Sequence, residues 1–569
     1  MSHAFPSELG QTPNSVPPRQ PESTCPGGVD RSAESLTAAP EMPSPSENGA
    51  IKRQGPRVKY VSAAHWAAIL DGIAELKDHL EHQDEYQAPA PEQCDGDARP
   101  SGPLLLYGGW SRNLTRSFIL ESLPERPVAD RLVSRYFNTV VVASCFPHSG
   151  KFRREYDEFW KAPQQTPIMW IGLLFAMMSL SAQTQHFYQA QASNSSEVLH
   201  SINVFKEKVV QCLVLGEYTS GGPYVVETLL LYLMTEFFPS RDMQVGTRLL
   251  VGTIVQIAMH MGYHRDSSRF PTISPFEGEM RRRVWALIYQ IDFGTSTQMG
   301  LPRLLIRESQ IDAAEPRNLA DTDFDEHSAE LPPSRPDTDV TPALYSAAKL
   351  RIFSVGVKVA DLASEIRCPA YADVLDLDRQ LDVASDSLPS TMKWTGLASC
   401  LTESSQVILQ RIFLRVCVYR MKITLHKRFL SLERSRVACL TAAMEILKLQ
   451  HLLDEESQPD GRLYQSRWRV TSAFTHDFLV ATSILCLYLR TLSSGEDKGD
   501  DATEQSMEEM KTLLRLSQAI WLRESATSKE AQKAAEALRY VLGDSQCGTN
   551  GTALSSPAPG LLFTVPETW

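Results

Sequence analysis

At 569 residues, with 43% hydrophobic and 8% aromatic side chains, the chain can bury a large core, as two or three domains or as one large helical domain with disordered ends. Its 56 Lys and Arg stand against 68 Asp and Glu, and the net charge of −12 repels a polyanion, so the body of the chain is excluded as a nucleic-acid surface unless basic residues are segregated. The ten cysteines are scattered, with the closest two, Cys400 and Cys417, 17 positions apart; this excludes a dense disulfide framework and points to reduced thiols in an intracellular protein.

Residues 1–60 form a Pro/Ser-rich stretch that cannot bury enough surface to offset its ordering entropy, and the spacing predicts disorder. A small basic tract, Lys52, Arg53, Arg57 and Lys59, closes it and reads either as a solvated linker or as nuclear targeting. Over 61–83, Trp66, Ile69, Ile73, Leu76 and Leu80 mark an amphipathic helix too short for a coiled coil, and docking on a core is its simplest use. A Pro-rich linker, 84–103, leads into 104–165, where short apolar patches alternate with loops.

The run Ile168–Ala182 is uncharged and apolar for 15 residues, short of the roughly 20 a membrane span needs, and it reads as a core helix. Helical patterns follow at 168–192, 196–216 and 224–238. The most informative stretch is 245–312. Val245, Leu249, Thr253, Ile257 and Met261, with Leu250 and Ile254 alongside, predict a helix with one apolar face that ends at Gly262. Ser274-Pro275-Phe276-Glu277 is an N-terminal capping signal, and Met280, Val284, Leu287, Ile288 and Ile291 give the next helix its buried stripe. Glu279 is spaced to pair with Arg282 or Arg283 on the opposite, exposed face.

An acidic loop, 312–342, carries Asp321, Asp323, Asp325, Glu326, Asp337 and Asp339 against Arg317 and Arg335; lacking the Gly and distal Glu of a calcium loop, it reads as a solvated connector. Further helices are expected at 343–366, 373–387, 403–431, 434–454, 466–490 and 505–523, with a loose tail over 543–569. The expected fold is all-α, one large multi-helix regulatory domain over 104–542 with a disordered N-terminus.

The ordered succession Gly262, His264, Arg265, Asp266, then Arg281, Arg282, Arg283, Trp285 and Asp292, then Gly300 and Pro302 resembles the middle homology region of fungal zinc-cluster transcription regulators. In that family the pattern is a Gly-Leu-His-Arg-Asp-like turn, an Arg-Arg-Arg-x-Trp helix ending in Asp and a Gly-x-Pro turn. The segment Cys417–Leu430 is similar to a later family motif, so the resemblance extends over roughly 104–490. It implies a transcription regulator in the nucleus, not an enzyme, with the motif residues in structural roles. Control of a metabolic or secondary-metabolite gene set is expected from where such regulators work.

The family reads DNA through a two-zinc, six-cysteine cluster built on C-x2-C pairs. This sequence holds no such pair, so DNA contact is expected to be indirect, through other regulators or co-regulators, or through a cluster encoded upstream of these residues. His260 and His264 are spaced like a zincin pair but lack its Glu, so no metal or other cofactor is expected. Consecutive helical positions lie about 100° apart, so Arg281, Arg282 and Arg283 cannot all face one polyanion. Three alternatives stay open: a helical enzyme, a protein that binds a small effector between its helices, and a module that homo- or heterodimerises through 61–83.

Overall fold

Two strands and sixteen α-helices make up the long regular elements among the described residues. The structure is a computed structural model; it describes residues 50–73 and 102–543, apart from 55, 56, 64, 72, 109–113, 141–145, 190–194, 241, 243, 306, 307, 471 and 495–500. Expectations for 1–49, for the linker before residue 102, for Leu76 and Leu80 and for the tail beyond 543 lie outside the described residues.

The stretch expected to be irregular up to residue 60 ends instead in an antiparallel hairpin, β1 (Ala50–Gln54) and β2 (Arg57–Val61), with Lys52 opposite Lys59 and Arg53 opposite Val58. Ile51, Val58 and Tyr60 interleave with the basic residues, and that near-alternation favours a strand where a count of charges suggests a linker. Helix α1 (Trp66–Leu70) follows.

The N-terminal part is built from α2 (Arg116–Leu120), α3 (Arg126–Thr139), α4 (Ser149–Lys161), α5 (Ile168–Gln189), α6 (Ser195–Leu215), α7 (Val225–Phe237) and α8 (Val245–His260). Helix α5 is its axis and packs against α3, α6 and α7. It outruns its 15-residue apolar core because Gln183, Thr184 and Gln185 continue the helix, and Gln183 and Thr184 bond to carbonyls on or near it. Its residues from Trp170 to Met178 are all buried, including Gly172, which Cys212 and Thr228 approach closely, and this is why it shows no polar face. Helices α3 and α4 replace the loops expected over 104–165. Their cores, Leu132, Val133 and Tyr136, and Phe152, Tyr156 and Phe159, recur at helical spacing beneath a charged majority.

Helix α9 (Pro275–Met299) leads to α10 (Pro342–Ala363), α11 (Tyr371–Asp386), α12 (Ser405–His426), α13 (Glu433–Glu456), α14 (Ser472–Ser494), α15 (Asp501–Glu524) and α16 (Lys529–Leu542). A second core joins α1 and α12–α16, and a third lies between α9, α10, α11 and α12. Helix α16 was not expected; its buried face is Ala531, Ala534, Ala535 and Leu538, small residues with a weak apolar signal but high helix propensity.

Two details of the 245–312 expectation are corrected. In α8 the buried row is Leu250, Val251, Ile254, Val255 and Ala258, whereas Val245 and Leu249 are 60% and 53% exposed. The helix offers two apolar rows, and packing on α7 and α9 selects one. Helix α9 does not end at Asp292 but runs to Met299 and stops at Gly300, whose φ of +63° suits a residue without a side chain. Its polar continuation stays helical because Thr295, Ser296 and Thr297 donate to carbonyls of their own helix.

Candidate functional site

The family-like motif folds into a clasp at the start of α9. Gly262, at φ +73°, closes α8: Gly262 N donates to the Met259 carbonyl and Tyr263 N to the Ala258 carbonyl. The cation at this helix end is Arg281, which donates to the Met261 carbonyl at 2.6 Å and covers the Tyr263 ring. Ser274 caps α9 by accepting from Glu277 N, with Pro275 as its first helical residue.

Asp266 accepts from both Nε and Nη2 of Arg282, from the Ser268 amide and hydroxyl and from the Ala314 amide. The Arg282 hydrogen bonds hold its carboxyl well below the usual range, against the opposing effect of burial. Asp312 is gripped by Arg265, Arg269 and the Asp266 amide, and the Arg265 bonds lower its pKa. The His264 carbonyl accepts from the Asp312 and Ala313 amides, while its ring lies 6.1 Å from that of buried Trp285; burial pulls the imidazole pKa down.

Arg283 is 2% exposed and donates to Glu279, to Asp321 at 2.8 Å and to the Leu319 carbonyl, with its guanidinium over Phe324. Thus the Glu279–Arg283 pair lies in the interior, not on the expected exposed face. Burial raises the Glu279 pKa, with Arg283 opposing. The three arginines point to three different partners, and none is left for a phosphate backbone.

The acidic loop is correspondingly not a solvated connector. Asp321 also accepts from Ser149 N, Phe324 packs on Phe276 and His148, and the Phe324 carbonyl meets His148 Nε2 at 3.0 Å. Burial lowers the His148 pKa. Within the loop, Arg335 holds Asp323 through two bonds, and Asn318 bonds the carbonyls of Arg335, Pro336 and Asp339. Asp321 and Glu326 are matched by Arg283 and Arg154, distant in sequence, which a count along the loop itself misses.

Asp292 sits in the interior of α9, where it accepts from Arg248 and from the Leu304 and Leu305 amides. Arg248 also donates to the Pro302 carbonyl at 2.6 Å, tying the Gly300-Pro302 turn to α8. Arg248 was overlooked in the sequence. Its signal is a lone charge among the apolar residues of α8, since a buried guanidinium requires a carboxylate elsewhere.

A Cβ on Gly300 would stand 3.0 Å from Ser62 Cβ and 3.3 Å from His65 N, so this turn is pressed against the segment around α1. Trp66, Ile69, Leu70 and Ile73 are buried in the second core, and buried Lys427 donates to the Ala63 carbonyl at 2.9 Å. The described part of the 61–83 segment therefore spends its apolar face within the chain. The basic tract Lys52, Arg53, Arg57 and Lys59 lies on the preceding hairpin.

At the far end of α9, a pocket of about 60 Å³ opens between α9, α10, α12 and α14. Phe293, Phe353, Phe413 and Met421 line its apolar wall and Gln298, Arg420 and Asp477 its polar end. Arg420 is held by Asp477 at 3.2 Å, Thr424 and His476 Nε2. Burial pushes the Asp477 carboxyl up to about 7 despite Arg420 beside it, and burial also lowers the Arg420 pKa. The arrangement is an ion pair fixed by its neighbours beside an apolar void.

The profile of the fungal specific transcription factor domain matches residues 133–359. The pyrrolocin cluster transcription factor of Fungal sp. (strain NRRL 50135) is 50% identical over 558 residues, covering 92% of this chain and 71% of the relative. The fusarisetin A cluster transcription factor of a Fusarium species is 41% identical over 578 residues, covering 100% and 75%. A Zn(2)-C6 fungal-type transcription factor of Macrophomina phaseolina is 43% identical over 542 residues, covering 92% and 72%.

Proposed function

The chain belongs to the family of fungal-specific transcription factors, and from that premise we propose that it is a nuclear regulator of a secondary-metabolite gene set whose contact with DNA is made outside these residues, through partner regulators or a zinc cluster beyond them. The family is one of transcription factors, not enzymes. The observation that carries the gene-set reading is the high identity, over nearly the whole chain, to relatives named for the pyrrolocin and fusarisetin A clusters.

Two features support indirect DNA contact. The 569 residues contain no C-x2-C pair, and the net charge is −12. The motif residues serve here as structure: Arg281, Arg282 and Arg283 hold helix ends and a loop, and Asp292 anchors the turn at Gly300 and Pro302. Lys52, Arg53, Arg57 and Lys59 supply the nuclear-targeting tract in this reading, and the pocket between α9, α10, α12 and α14 supplies a place for a small effector.

Deletion of the gene, with transcripts measured genome-wide, tests the reading. A coordinated change confined to a contiguous set of biosynthetic genes is expected. Unchanged transcripts under conditions where the protein is made contradict it.

A further inference from the structure

In a chain of net charge −12, the stretches 131–154, 159–196 and 461–476 carry no Asp or Glu. The fold brings parts of all three together. Arg135, one turn from the end of α3, donates to Gln185 Oε1 on α5, and Arg469 donates to the carbonyl of Thr139, the last residue of α3. Trp468 Nε1 donates to the Tyr188 hydroxyl at 3.0 Å, and the Arg467 guanidinium lies over the rings of Phe187 and Tyr188 at the end of α5. Arg131, which is exposed, stands one helical turn before Arg135 on the same face of α3.

These cations lack the counter-ions that the fold supplies elsewhere. The buried arginines Arg248, Arg283, Arg303, Arg411 and Arg420 each meet a carboxylate. Among the described residues, none of Arg131, Arg135, Arg467 and Arg469 has a carboxylate within 4.0 Å. Burial pulls the Arg469 pKa down to about 10, and the group that opposes this is the Tyr188 phenol, not an acid.

Neutral contacts hold these side chains in place and use only part of each. Arg467 donates through Nη1 to the Tyr464 carbonyl and lies 3.9 Å from the centre of that residue's ring. Arg469 Nη2 sits on the last carbonyl of α3, where a cation suits the helix dipole. Nε and Nη2 of Arg135 and Arg467, and Nη1 of Arg469, meet no acceptor among the described residues and keep contact with solvent; Arg469 Nε is sealed. Guanidinium groups fixed by rings and open along an edge suit carboxylates, which accept two parallel N–H bonds. The surrounding negative charge repels a long polyanion, whereas a short acidic segment touches this patch alone.

We propose that the surface formed by the ends of α3 and α5 and the 3-10 helix Tyr464–Arg469 docks a short acidic segment of a partner protein, its carboxylates pairing with Arg131, Arg135, Arg467 and Arg469 and its apolar side chains resting on exposed Tyr188. The proposal rests on the regulator reading only for what the partner does, since docking on the purified chain is measured without DNA or transcription.

The test is fluorescence polarisation with the full chain and a labelled peptide, Glu-Leu-Asp repeated four times, at about 0.1 M salt. Gln-Leu-Asn repeated four times is the control. Saturable binding of the acidic peptide is expected, and the neutral one should bind about tenfold more weakly or worse, a factor that one charge-assisted bond supplies. Arg131→Gln with Arg135→Gln should weaken binding about tenfold and leave the denaturation midpoint in place, because Arg131 is exposed and Arg135 gives up only a bond to an amide. Arg467→Lys keeps the charge but loses the fork, and should weaken binding as well. Arg367→Gln with Arg434→Gln removes equal charge from exposed positions elsewhere and should leave binding at the parent's level.

Equal binding of the two peptides, parent-like binding by either patch variant, an equal loss in the Arg367→Gln, Arg434→Gln chain, or displacement of the peptide by duplex DNA of the same total charge at equal concentration overturns the proposal. None of these results bears on whether the chain regulates genes.

Discussion

The two ends of α9 solve opposite problems. At its start, Arg281, Arg282 and Arg283 each find acceptors, and two aspartates on separate loops are fixed by several bonds apiece. At its other end, α9 lines a pocket walled mostly by apolar side chains such as Phe293, Phe353 and Met421. A dense polar network holds one arrangement even with Glu279 Oε2, Arg281 Nε and His264 Nδ1 buried and unpartnered among the described residues, whereas the other end borders an open space. The motif that announces the family in the sequence is thus its scaffold, and the pocket proposed as the effector position is lined by residues the motif does not include.

The harshest way to break the first end is Arg283→Ala. It leaves Glu279, which is fully buried, without its cation and frees the loop at Leu319 and Asp321, and a loss of about 3–5 kcal/mol is expected in chemical denaturation. Arg283→Lys should restore little, because an ammonium cannot reach Glu279, Asp321 and the Leu319 carbonyl together. Asp292→Asn tests the middle of the helix. It removes the charge that answers Arg248 and weakens acceptance from two amides, and a loss of about 2–4 kcal/mol is expected by the same measurement.

The docking of the α1 segment is tested through pH. Lys427, which ties Ala63 to the end of α12, has its pKa lowered by burial to about 7 from an ordinary 10.5. The folded chain then binds fewer protons on this amine than the unfolded chain does between those values. Its contribution therefore rises as pH climbs from about 7 to 10.5 and is lost as pH falls through 7, with a slope of at most about 1.4 kcal/mol per pH unit. Comparing denaturation midpoints of the parent and Lys427→Met at pH 7.5 and 9.5 checks it; the rise should be smaller in the variant.

Two smaller effects close the series. Ser274→Ala deletes the cap of α9 and should cost about 1 kcal/mol in the same denaturation. Leu249→Ser, on the row of α8 that sequence spacing assigns to the core, should change stability by no more than about 0.5 kcal/mol, because this side chain is 53% exposed.

That last residue marks where legibility ended. The helical class, the apolar helix beginning at Ile168, the Ser274-Pro275 start and the glycine stop at Gly262 could be read directly, since each is a local property of chain and cap. Which of two apolar rows on α8 is buried depends on α7 and α9, which local spacing does not contain. The cations on Asp321 and Glu326 are Arg283 and Arg154, on distant segments, so the acidic stretch 312–342 read as solvated when it is stitched down. Helices α3, α4 and α16 were missed because charged or alanine-rich faces dilute the apolar signal. The pocket between α9, α10, α12 and α14 could not have been chosen at all, because a void is visible only once its walls are placed.

The direct test of indirect DNA contact is binding of the purified chain to genomic fragments from the regulated locus at a fixed salt concentration near 0.15 M, a value at which phosphate attraction is already screened, with and without nuclear extract. Retention of the fragments only when extract is present is the expected result. Retention by the purified chain alone, at the same salt and with preference for those fragments over unrelated DNA, would contradict it.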